Sequence, residues 1–227
     1  LATELMNSAN VLNTLEQAAL ARQRIERAQG MLRKLGDVDT GHEGHALLEL
    51  AKASLTLGEF ERALREAESA EQSFIDTLGA DHPYVWFPSF SAARAEQGLG
   101  RSAAAQQRIA STLQHYREQD DPGMQLRVLQ VEIELALDAD QRARALTAAV
   151  ALQTLIQPMP PSQSLSWHWS QALLAAVRLR WPEADDHDSG QQELDVRSLG
   201  AAAAAISATL GDEHSRMRRI KAWRGAG

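Results

Sequence analysis

Between His45 and Pro83, apolar and small side chains return every three or four residues in two successive runs. The first holds Leu47, Leu50, Ala51, Ser54 and Leu55; the second holds Phe60, Ala63, Leu64, Ala67, Ala70 and Phe74. Each run predicts an amphipathic helix: one ends near Leu57 and the other near Leu78, with a turn at Gly58-Glu59-Phe60 between them. Gly58 suits the stop, because glycine takes the left-handed conformation that closes a helix. Helices joined by so short a turn lie antiparallel. Such a pair leaves an apolar face that only a neighbouring element can bury.

The unit recurs. A shift of 42 residues aligns Ala9, Ala51 and Ala93 in the first helix, and Ala21, Ala63 and Ala105 in the second. Ile25, Ala67 and Ile109 follow, then Ala28, Ala70 and Thr112. Small residues at a crossing let helix backbones approach, and a larger side chain would overpack it. The spacer Leu78-Gly79-Ala80-Asp81-His82-Pro83 returns as Leu210-Gly211-Asp212-Glu213-His214, and more loosely at Leu35-Gly36 with His42. A fixed period in the range of about 20–50 residues is the mark of a solenoid.

Read in order, residues 2–15 and 16–35 form the first pair, with Glu16 in place of a turn glycine, and 37–44 form a loop. The second pair follows; then come helices over 84–98 and 101–119, joined at Gly98-Leu99-Gly100. Asp120-Asp121-Pro122-Gly123 breaks the pattern, with proline allowed in a first helical turn. Helices over 124–137 and 141–156 make a fourth pair. Pro158-Met159-Pro160-Pro161 cannot be helical. Beyond it lie a tryptophan-rich helix over 165–180, a polar loop over 182–192, a helix over 194–210 and a short last helix near 215–224. The domain reading is one continuous array: 1–157 as four pairs, 158–163 as a proline-rich break, and 164–227 as a fifth, atypical pair with a cap. A solenoid needs such a cap to cover its last apolar face.

Gly58-Glu59-Phe60-Glu61-Arg62-Ala63, followed by Ala67 and Ala70, resembles the turn and second helix of tetratricopeptide (TPR) repeats. The long period and the Leu-Gly-x-Asp-His-Pro spacer resemble the extended repeats of kinesin light chains and of many bacterial multidomain regulators. The likeness covers about residues 1–119 and returns at 200–215. It departs from the consensus in the first helix, where Leu47, Ala51 and Ser54 stand for the usual Trp, Gly and Tyr. HEAT and armadillo repeats have similar periods but lack this Gly-acidic-aromatic turn. The resemblance implies an all-α, right-handed α-solenoid of about five antiparallel helix pairs with a C-terminal capping helix.

Composition narrows the function. Of 227 residues, 44% are hydrophobic but only 5% aromatic, which fits helices packed through small side chains. A net charge of −7 argues against nucleic-acid partners, whose binding draws on a basic surface. The chain has no cysteine, so disulfides, thiolate metal sites and a cysteine nucleophile are excluded. No apolar run reaches the length of a membrane span. The start at Leu1 reads as an excised part of a longer protein, placed in the cytoplasm, or in the periplasm where its parent is membrane-anchored.

The chemical motifs are weak. His42-Glu43-Gly44-His45 lacks the HExxH spacing and a further ligand. Asp185-Asp186-His187-Asp188 does not match a calcium loop, in which Glu193 could imitate the distal glutamate but at the wrong spacing, and reads as a solvated loop. Gly98-x-Gly100 has no following Gly-Lys-Ser/Thr. His82 and His214 recur in the spacer and read as structural. Arg216, Arg218, Arg219, Lys221 and Arg224 make the last helix basic, with Met217, Ile220 and Trp223 on the complementary stripe, as in a capping helix. Nothing predicts an enzyme, a cofactor or a metal.

In TPR arrays the first helices line the concave face. The resemblance therefore implies a groove of Asn10, Asn13, His45, Lys52, Phe87, Phe90, Arg94 and Gln97, with Lys52 and Arg94 as cations for an acidic segment and Phe87 and Phe90 as apolar anchors. Trp167 and Trp169, two residues apart on their helix, point about 160° apart, so one packs while the other lines a second surface. The expected function is non-catalytic recognition of a protein or peptide, as the scaffold or sensory segment of a larger bacterial regulator. Two alternatives stand: a small-molecule or effector-peptide sensor controlling an attached kinase or transcription-factor domain, and a self-association module. The sequence leaves the partner and the oligomeric state open.

Overall fold

The computed structural model describes residues 1–35, 40–159, 164–181 and 189–225. Among them run eleven α-helices: α1 (Ala2–Thr14), α2 (Ala18–Leu35), α3 (Thr40–Thr56), α4 (Phe60–Leu78), α5 (Pro88–Gly98), α6 (Ser102–Glu118), α7 (Pro122–Asp138), α8 (Arg142–Ile156), α9 (Leu165–Arg180), α10 (Ser189–Leu210) and α11 (Ser215–Gly225). A 3₁₀ turn, Pro83–Trp86, precedes α5. The chain divides into two compact units, Leu1–Thr112 and Leu113–Gly227, with the boundary inside α6.

The period is written into the turns. Positive φ occurs at Glu16 (58°), Gly58 (75°), Gly100 (73°) and Asp140 (53°), each between the two helices of a pair. The first three are 42 residues apart. At each, the next amide reaches back to the carbonyl five residues earlier: Gln17 to Leu12 (2.8 Å), Glu59 to Ser54 (2.9 Å), Arg101 to Glu96 (2.8 Å) and Gln141 to Ala136 (2.8 Å). This is the Schellman closure, which satisfies the last carbonyls of a helix and reverses the chain. Glu16 and Asp140 hold a conformation that glycine takes without strain.

Small residues set the packing of the first unit. All twelve positions matched by the 42-residue shift are buried, from Ala9, Ala51 and Ala93 to Ala28, Ala70 and Thr112. Helix α3 packs against α1, α2, α4 and α5. Leu5, Met6, Ala9, Ala21 and Ile25 meet Ala46, Leu50 and Ala53 on one side of α3, while Ala51 meets Ala63, Ala67, Ala92 and Ala95 on the other. One polar clasp bridges equivalent positions of two pairs. Ser54 donates to Glu66 (2.5 Å), and 42 residues on, Arg108 donates to Glu96 (2.9 Å).

Three boundaries differ from the sequence reading. The loop expected over 37–44 is helical from Thr40. Gly44 permits this: a Cβ there would lie 2.7 Å from the Phe74 ring, so only glycine lets α3 run on beneath α4. The helix expected over 84–98 is two elements, because Pro88 removes an amide donor and must stand in the first turn of a new helix. Helix α10 starts at Ser189, not near Leu194. The Asp185-Asp186-His187-Asp188 motif and Pro160-Pro161 lie outside the described residues.

The second unit has a core of larger side chains. Leu129, Ile133, Leu152, Ile156, Trp169, Leu173, Leu199, Ile206 and Ile220 join one cluster drawn from α7 to α11. Arg178, donating to Asp195 from both Nε (2.9 Å) and Nη2 (2.5 Å), ties α9 to α10, and Arg144–Glu132 (2.7 Å) ties α8 to α7.

Candidate recognition surface

In the first unit, α3 lies between α1 and α5, and the implied groove residues fall on these three helices or next to them. His45, Glu49 and Lys52 stand at i, i+4 and i+7 on α3, one helical stripe. Glu49 is only 7% exposed. A buried carboxylate must be paired, and three donors converge on it. Asn10 donates to Oε1 (2.9 Å). Asn13 donates to Oε2 (2.8 Å) and also to the Glu49 backbone carbonyl (2.9 Å). Lys52 Nζ reaches Oε1 at 2.6 Å. Three of the implied groove residues thus meet at a fourth that the sequence reading did not single out.

An aromatic cluster adjoins this hub. His45 is edge-on to Phe74 and to Tyr84, with ring centroids 5.1 Å apart in both cases. Tyr84 in turn contacts Phe87 (5.5 Å) and His82 (5.0 Å). Phe74 is fully buried, whereas Tyr84 is 39% exposed. The two implied residues His45 and Phe87 are therefore brought together through Tyr84, which the sequence reading also passed over. Burial against these rings pushes the His45 pKa down, with Lys52 and His42 acting the same way and Glu49 opposing them. Phe90, Arg94 and Gln97 are half-buried on α5.

The spacer histidines share one local role. His82 Nδ1 accepts from the Tyr84 amide (3.2 Å) and His214 Nδ1 from the Arg216 amide (3.2 Å). Each follows a glycine of positive φ, Gly79 (88°) and Gly211 (91°). Both histidines cap the element that follows them.

In the second unit, Trp169 is fully buried. Its indole N–H donates to Glu134 Oε1 (2.8 Å), its ring stacks on Trp223 (5.5 Å), and the Arg216 guanidinium sits over it (4.9 Å). Of the tryptophan pair, Trp167 is the partly exposed member. Arg219 pairs with both Asp138 oxygens (2.9 and 2.7 Å). Burial opposes the Arg219 charge, but Glu134 and Asp138 more than offset it and its pKa is raised. Helix α11 is thus fastened to α9 and α7 by its basic residues, with Met217 and Ile220 in the core. A cavity of about 20 Å³ lined by Ala176, Leu179, Arg180 and Trp223 has room for about one water.

Among the described residues, no group of three or more His, Asp or Glu is placed to hold a metal ion, and no helix is long and apolar enough to cross a membrane. No family model matches the sequence, and no curated protein matches it. Solved structures do. A Rap protein in complex with Competence and Sporulation Factor matches with a TM-score of 0.72 at 10% identity, over 95% of this chain. This chain spans 56% of that one. A Podosopora anserina putative kinesin light chain of nearly identical TPR-like repeats matches with a TM-score of 0.62 at 17% identity, over 91% of this chain and 95% of its own. Its Q17M variant gives 0.63. The fold is TPR-like. It is an all-α helix-repeat fold, and at these identities the likeness is one of fold alone.

Proposed function

We propose that this chain is a recognition module of a larger bacterial-type regulator, binding a peptide or an extended protein segment across α1, α3 and α5. The observation that carries the reading is the juxtaposition on neighbouring helices of the Asn10–Asn13–Glu49–Lys52 hub with the half-exposed His45–Tyr84–Phe87 rings. Aromatic rings beside fixed polar groups are the usual composition of a recognition surface. The fold match supports it as well, since a chain of this fold is complexed with a separate factor in the Rap structure. The cavity lined by Ala176, Leu179, Arg180 and Trp223 falls short of the roughly 300 Å³ of a small-molecule site.

The test is to capture partners with the whole chain and to map the bound state by hydrogen exchange. Protection along α1, α3 and α5 is expected, with at least tenfold weaker retention for Phe87→Ala and Tyr84→Ala. Arg65→Glu, on the exposed side of α4, is the control and should bind normally. Protection confined to α2 and α4, or to the second unit, would sink the proposal.

A further inference from the structure

The hub has the composition of an anion receptor: two amide donors from α1 and one ammonium from α3 converge on a single point. That point is already occupied by the chain's own carboxylate. Asn10 and Lys52 share Glu49 Oε1, at 2.9 and 2.6 Å, and Asn13 takes Oε2 at 2.8 Å. Asn13 also grips the Glu49 carbonyl, so side chain and backbone are held together.

Two consequences follow from the donor inventory. Each asparagine turns its NH2 towards Glu49, which fixes the flip of both amides and directs their oxygens away from the carboxylate. The Asn13 Oδ1 has no hydrogen-bond partner among the described residues. The charge of Lys52 is matched at contact distance, and an incoming carboxylate would have to approach it beside Glu49, where like charges repel. Repeat equivalence sharpens the point. The position of Glu49 corresponds to Asn7 in α1 and Ser91 in α5, so the acidic residue belongs to this pair alone among the three and is not a requirement of the repeat.

Resting on the proposed groove, we infer that Glu49 sets its specificity: it fills the Asn10–Asn13–Lys52 clamp as an internal carboxylate, so the face takes neutral or basic extended peptides and refuses acidic ones. The sequence alone suggested the opposite, with Lys52 as an open cation for an acidic segment. Binding then depends on the aromatic rings of His45, Tyr84 and Phe87 and on neutral hydrogen bonding. The Tyr84 and Phe87 rings carry no charge, and partial burial lowers the His45 pKa.

The experiment uses the whole chain and immobilised random heptapeptides, N-acetylated and C-amidated, divided into acidic, neutral and basic sub-pools. Wild-type protein is expected to retain the neutral and basic sub-pools at least about tenfold better than the acidic one. Glu49→Gln keeps the side-chain shape and one accepting oxygen but removes the charge, and should bring the acidic sub-pool to within about twofold of the others. Glu43→Gln, an equal charge change at an exposed position of the same helix, should leave the preference unchanged; it separates a local filter from the net charge of −7. Equal or better retention of the acidic sub-pool by wild type overturns the inference but leaves groove binding standing. A preference unmoved by Glu49→Gln, or moved as much by Glu43→Gln, also overturns it. Should Glu49→Gln fail to fold by circular dichroism, the wild-type preference at high salt decides: a long-range net-charge effect is screened away there, so loss of the preference overturns the inference. Retention of no sub-pool at all removes the proposed groove together with its filter.

Discussion

The two units bury themselves by different means. In the first, seams between helices are lined by alanine: Ala51, Ala63, Ala67, Ala92 and Ala95 form most of one cluster. Backbones come close, and the polar residues of a seam, such as Glu49 and Glu96, must be matched at contact distance. In the second, Trp169, Ile133, Leu173 and Ile206 fill one larger core, and α11 closes it through Trp223 and Arg219. Close seams leave no slack for added volume, whereas a core of large side chains is most vulnerable to volume removed. The same repeat logic therefore yields one region sensitive to insertion and one sensitive to truncation.

The largest effect should follow Trp169→Ala. It removes a fully buried ring, its stack on Trp223 and the N–H that Glu134 accepts, and should destabilise the second unit by about 3–5 kcal/mol. Denaturant melts and amide exchange resolved by segment check it, with α1–α5 protection unchanged. If α1–α5 lose protection to the same extent, the units do not differ as described.

Gly44→Ala tests the opposite limit. Helix propensity alone favours alanine by about 1 kcal/mol, yet the new Cβ would sit 2.7 Å from a fully buried Phe74 ring. A net loss of about 1–3 kcal/mol is expected from overpacking. A stability gain would show that this seam has room.

Tyr116→Phe should go the other way. The Tyr116 hydroxyl is buried without a hydrogen-bond partner among the described residues, and burial, with Asp121 beside it, pushes its pKa up to about 12. Removing the unsatisfied oxygen should raise stability by about 1 kcal/mol. An unchanged or lower melting midpoint would mean that the oxygen has a partner in solution.

Smallest is Glu16→Gly. Glu16 holds a φ of 58° in the turn where Gly58 and Gly100 occupy the next two pairs. Glycine should relieve roughly 0.5–1 kcal/mol of backbone strain, part of it lost to the freer unfolded chain. The readout is a small upward shift in the denaturation midpoint, and a downward shift would break the equivalence of the three turns.

Much of this was legible in the chain because it is local. The helical spacing of apolar residues and the stops at Gly58 and Gly100 each depend on a few neighbouring residues, and the 42-residue shift singled out twelve positions that are all buried. The groove was legible only in part. Glu49 was not singled out within Leu47–Ala51, although its place four residues after His45 and three before Lys52 was a usable signal. Tyr84 was hidden by the helix assigned across Pro88, where the chain instead makes a 3₁₀ turn and starts again.

What the sequence determined by itself was the repeat: its period, its reversals and its small-residue seams, since short-range sterics and helical geometry dictate each. What only the tertiary structure decided was which polar groups meet. Asn10 and Asn13 reach Glu49 from 39 and 36 residues away, across a crossing whose register depends on every alanine between the two helices. A carboxylate's character, as open charge or filled clamp, is fixed by the donors that packing brings to it, and no local pattern encodes that.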